Sequence, residues 1–165
     1  MVGDHTFEAT GLKLAAMADA GGKCDWRNDI LPANDSMLDV IRVACYVHQI
    51  SEAVEMVEHC TALGYETTLN IMAISVVADA DIDQALEIGS KSSAGTIVVV
   101  DSYGNLFREQ IEHLVRKYTR AVEGTGKHIG MHAHNNRHPK SAMDWREGDN
   151  PDDYLAFYDQ TLTDA

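Results

Sequence analysis

Short apolar runs rich in β-branched residues recur along the chain, at residues 12–19 (LKLAAMAD), 40–46 (VIRVACY), 67–74 (TTLNIMAI), 95–101 (GTIVVVD) and 128–134 (HIGMHAH). Their spacing of about 30 residues is that of a βα unit. A run such as 96–100, apolar or β-branched at every position, suits a strand covered on both faces, and therefore a parallel sheet. Between the runs, three segments carry helical periodicity. Ser51 is placed to cap the first, with Ala53, Val54, Val57, Cys60 and Leu63 on one face and Gly64 as the stop. Residues 81–91 carry Ile82, Ala85, Leu86 and Ile88, and residues 107–122 carry Ile111, Leu114, Val115, Tyr118 and Val122 before Gly124. The resulting β-α-β-α-β-α-β order is an α/β layout with right-handed crossovers. The link from Ala20 to Met37, with Gly-Gly, charges and Pro32, reads as a long loop instead of a crossover helix.

The composition suits one domain with a real core: 165 residues, 45% hydrophobic and 24% charged. Thirteen basic against 26 acidic side chains leave a formal charge of −13. Such acidity repels nucleic acid and anionic membrane surfaces, so neither is expected as a partner. No apolar run reaches the roughly 18–20 residues of a membrane span, and the first residues lack the basic and apolar regions of a signal peptide. Cys24, Cys45 and Cys60 are widely spaced, without a CxxC; buried thiols are expected for Cys45 and Cys60, in a reducing, cytoplasmic setting. Past Asn136, residues 137–150 read as a polar linker and residues 151–162 as a terminal helix with Tyr154, Leu155, Tyr158 and Leu162 on one face.

Five positions could carry chemistry. His132 and His134 stand two apart on a strand, so their imidazoles share one side at its C-terminal end, where α/β proteins build their sites. Two neutral imidazoles make a platform for a divalent metal; a pair that merely hydrogen-bonds at a strand end is the alternative. Asp101 closes an apolar strand and leads into a glycine-containing loop. It could ligate a metal, orient an imidazole, or cap the turn. Arg42 is a lone cation inside VIRVACY and needs either an anionic ligand or a structural carboxylate, for which Asp19 is available. Asn70 is a polar group with the same ambiguity. The remaining histidines (His5, His48, His59, His113, His128 and His138) lack mutual spacing, and His59 and His113 are expected at helix surfaces. GxGxxG, Walker A and GxSxG patterns do not occur.

Residues 41–75, 98–118 and 127–136, in that order and spacing, resemble the HMG-CoA lyase-like superfamily, in particular its aldolase catalytic-domain branch akin to 4-hydroxy-2-oxovalerate aldolase. HPKSAMDW and DDYLAFYD, at residues 138–145 and 152–159, resemble the C-terminal end of that branch. The resemblance implies a TIM-barrel-like fold, an HxH metal site on His132 and His134 holding Mn²⁺ or Mg²⁺, and cleavage of a carbon–carbon bond in a small oxo acid. Asp101 and Arg42 are the candidate catalytic residues beside that metal.

A complete barrel takes eight βα units in about 250 residues. The five runs therefore predict a single shortened domain over residues 1–165. Its βα core of about five units, residues 11–136, is expected to form a partial barrel. The family's first-strand Arg-Asp pair has no counterpart near Gly3-Asp4-His5. Two expectations follow. One is a metal-dependent aldolase whose open sheet is completed by a homo-oligomer or a partner subunit. The other is a catalytically silent member serving as a structural or interaction subunit.

Overall fold

The computed structural model describes residues 12–134. The expected linker and terminal helix, residues 137–150 and 151–162, lie outside the described residues. Five strands form one sheet: β1 (Ala15–Asp19), β2 (Val40–Cys45), β3 (Glu66–Ile71), β4 (Thr96–Asp101) and β5 (His128–Ala133). All pairings are parallel and the spatial order follows the chain, β1-β2-β3-β4-β5. The helices are α1 (Trp26–Asp29), α2 (Ile50–Ala62), α3 (Asp79–Gly89) and α4 (Arg108–Val122).

Alternation along the strands sorts the side chains into two faces. Ile41, Val43 and Cys45, Leu69 and Ile71, and Ile97 and Val99 form one row. They pack with Met56, Val57 and Cys60 of α2, Ile82 and Leu86 of α3, and Leu114 and Tyr118 of α4 in a single core. The opposite row contains Arg42 and Ala44, Thr68 and Asn70, Val98 and Val100, and His128, Gly130 and His132. A doubly wound sheet reverses its strand order and takes helices on both faces. Here the order never reverses and the core lies on one side. The architecture is thus an α/β arc of a barrel, with β1 and β5 as its edges among the described residues.

The ends of the elements differ from the sequence expectation for local reasons. Gln49, not Ser51, precedes α2, and its side-chain oxygen accepts the Tyr46 N–H at 2.9 Å. The same device recurs at α4, where Gln110 accepts the N–H of Phe107 at 2.9 Å and leaves Phe107 as the cap. β3 stops at Ile71 instead of running to Ile74, because Ala73 turns into the left-handed region at φ 55° and starts a 3₁₀ turn. Gly64, at φ 96°, ends α2 as expected. The expected loop 20–37 contains a single helical turn whose Trp26 is buried in the core, followed by a 3₁₀ turn at Ala33–Asp35. His59 is half-buried edge-on to Trp26, not at the surface, whereas His113 is exposed beside Asp79.

Cys45 and Cys60 are fully buried thiols, with burial pushing them up to about 12 and about 11 respectively. No helix among the described residues is long and apolar enough to cross a membrane. Leu69, at 0% exposure, lies in the central strand against the helices. Leu69→Ala is expected to cost about 2–5 kcal/mol of unfolding free energy, the range for a buried leucine that leaves a cavity, measured by urea titration.

Candidate functional site

Because every pairing is parallel, Asp19, Cys45, Ile71, Asp101 and Ala133 end their strands at one edge of the sheet, the edge where barrel enzymes place their chemistry. His132 is the penultimate residue of β5 and His134 follows the strand. Their rings stack, with centroids 4.9 Å apart and planes 9° from parallel. His132 is half-buried and His134 exposed.

Arg42 reaches this pair from β2. Its Nη2 lies 3.5 Å from His132 Nδ1 and 3.4 Å from Asn70 Oδ1. Neighbouring strands are about 4.8 Å apart, so β2 and β5 of a flat sheet would be separated by about 14 Å. Side chains from these two strands meet because the inner face is concave. A guanidinium only donates, so His132 Nδ1 is the acceptor and its ring proton belongs on Nε2. Burial, then the neighbouring His134 and the Arg42 charge, lower the His132 pKa from its ordinary value. His132 therefore stands neutral at pH 7.

The two acidic candidates are engaged elsewhere. Asp19 accepts a bond from Lys23 Nζ at 2.6 Å, so it is not the partner of Arg42. No other carboxylate among the described residues lies within ion-pair distance of Arg42. Asp101, at 0% exposure, shares the alternation of Ile97 and Val99, away from the inner face. Its Oδ1 accepts the Asn105 N–H at 3.1 Å and its Oδ2 the Leu106 N–H at 2.9 Å. The structure thus brings Arg42, His132 and His134 together and uses Asp101 to shape the loop before α4.

Two residues join that the sequence reading did not single out. Thr68 Oγ1 accepts a bond from Asn70 Nδ2 at 2.8 Å, and Ser102 Oγ accepts the N–H of Ala73 at 2.9 Å, tying the β3 and β4 loops together. Thr68 was detectable: it stands two residues before Asn70 and so shares its face.

The imidazole pair fits a divalent ion in kind, offering two nitrogen donors of which His132 is kept neutral. No group of three His, Cys, Asp or Glu able to hold a metal occurs among the described residues. An ion at His132 Nδ1 would have to displace the guanidinium, and one at Nε2 would require the other tautomer. The pair accounts for two positions of a coordination shell.

No family model matches the chain, and no curated protein matches it. Among solved structures it is similar to the N-terminal domain of a "putative aldolase" from Bacteroides vulgatus, at 20% identity and a TM-score of 0.55. The match covers 75% of this chain and 41% of that one. The likeness is one of fold.

Because the folded-state pKa of His132 lies below its unfolded value near 6.5, the unfolded chain takes up that proton more readily. The stabilisation is present above pH 6.5 and is lost as pH falls through the lower, folded value. Urea midpoints measured between pH 7.5 and pH 5 should fall, and His132→Gln should flatten that decline.

Proposed function

We propose that the chain carries an aldolase-type carbon–carbon lyase site for a small 4-hydroxy-2-oxo acid, dependent on Mn²⁺ or Mg²⁺. The observation that carries this reading is the convergence of Arg42, His132 and His134 on the concave face at the carboxyl ends of the strands. The resemblance of residues 41–75, 98–118 and 127–136 to the HMG-CoA lyase-like superfamily supports it. So does the fold shared with a domain of a protein described as a "putative aldolase".

His132 and His134 would hold the metal ion, which when bound supplies Lewis-acid charge where a carbonyl oxygen becomes an enolate oxygen. Arg42 binds the substrate carboxylate. Its fork of donors matches two carboxylate oxygens, and no carboxylate among the described residues competes for it. Asp101 holds the loop after β4 in place through its two amide bonds. A second copy or a partner subunit completes the arc by covering β1 and β5, the strands at its edges among the described residues. The three free cysteines suit a reducing, cytoplasmic setting.

A second reading, a catalytically silent interaction subunit, is favoured by one observation: only two candidate ligands stand together among the described residues. Turnover separates the two readings. With Mn²⁺ or Mg²⁺ present, the full chain should release pyruvate from 4-hydroxy-2-oxopentanoate. His132→Ala or His134→Ala should reduce kcat/KM by about a hundredfold or more, the scale for losing an electrostatic stabiliser of a developing oxyanion. Absence of pyruvate from the wild type would favour the silent subunit, and an unchanged rate in His132→Ala would contradict His132 as a ligand of the metal.

A further inference from the structure

We infer that Asn70 is a positioning residue: it holds the Arg42 guanidinium on the inner face without neutralising its charge, so that a small carboxylate can dock on it. The docking half of this statement rests on the reading of Arg42 under Proposed function. The positioning half stands on geometry alone.

Asn70 is completely buried, although it lies on the polar row of β3. Its Nδ2 is surrounded by acceptors: Thr68 Oγ1 at 2.8 Å, the Val43 carbonyl at 3.2 Å and the Thr68 carbonyl at 3.4 Å. Two of these are backbone carbonyls that cannot donate, so the nitrogen must face them and the amide cannot be flipped. The side-chain oxygen is thereby fixed toward Arg42 Nη2, 3.4 Å away. That contact is long for a hydrogen bond.

The choice of amide over carboxylate decides what the arginine can do next. An aspartate here would form an ion pair and satisfy the cation. The Asn70 oxygen is a neutral acceptor, so it orients the guanidinium without pairing its charge, and no carboxylate among the described residues lies within ion-pair distance of it. An oriented guanidinium with no carboxylate partner among the described residues is a receptor for an anion. Sheet packing does not demand an amide at this position, since the residues flanking Asn70 in its row are Ala44 and Val98.

Two measurements on the full chain without added metal test the inference. In ¹⁵N-labelled protein, the Arg42 guanidinium signals, identified by their loss in Arg42→Lys, should report restricted rotation. Asn70→Ala should release that rotation. Thr68→Val keeps a β-branched residue in the strand and removes only the hydroxyl that anchors Asn70; it should release rotation partly, and it serves if Asn70→Ala fails to fold. In the second measurement, pyruvate is titrated calorimetrically. Asn70→Ala should raise its Kd about tenfold, the scale of one hydrogen bond to a charged group, and should cause no further loss in the Arg42→Lys background. Guanidinium signals unchanged in both variants would overturn the inference. So would affinity losses for Asn70→Ala and Arg42→Lys that simply multiply, the pattern of independent roles. Released rotation with no pyruvate binding to the wild type would uphold the positioning of Arg42 and overturn its reading as the substrate-carboxylate anchor.

Discussion

A parallel sheet whose strands follow chain order, with its helical core on one side, has a single face that must be apolar. The hydrophobic burial that holds the domain together is concentrated there, among Val43, Leu69, Ile71, Ile97 and Val99 and the helices that cover them. The opposite face is released from that demand. It carries an arginine, an asparagine, threonines and histidines at positions that a doubly wound sheet would have to fill with apolar side chains. Curvature then brings residues of β2 and β5 within contact distance, and the polar face becomes a concavity with its chemistry at the carboxyl ends of the strands.

Local electrostatics, more than the overall charge, decides what such a concavity attracts. The sequence carries a net charge of −13, yet the two acidic candidates for the site are already engaged. Asp19 bonds Lys23, and Asp101 accepts two loop amides. Among the described residues, Arg42 meets the side chains of Asn70 and His132 and no carboxylate. Solvent-exposed charges are screened beyond a Debye length of about 8 Å at physiological ionic strength. A half-buried guanidinium can therefore govern anion binding within its own concavity on an otherwise acidic protein.

The fold was legible in the sequence because buried parallel strands and amphipathic helices leave strong periodic marks. The five runs and the three long helices stand where those marks place them. The ends of elements were harder to read, since side chains acting on backbone decide them. Gln49 and Gln110 reach back to the N–H groups of Tyr46 and Phe107, and a left-handed Ala73 stops β3, none of which disturbs hydrophobic periodicity. The pairing of His132 with His134 follows from a spacing of two. The partners of Arg42 do not follow from any spacing: one lies on the next strand and the other three strands away, brought near by curvature. Asp101 shows where more could have been read. It shares the alternation of Ile97 and Val99, which face the core, while Val100 pairs with His132 on the inner face.

Electron paramagnetic resonance of Mn²⁺ added to the full chain tests the central proposal, a divalent ion held at the imidazole pair. The account predicts that the free-ion signal is lost up to one ion per chain, and that His132→Ala and His134→Ala each restore it. A free-ion signal undiminished by the wild-type protein, or binding retained in both variants, would contradict it.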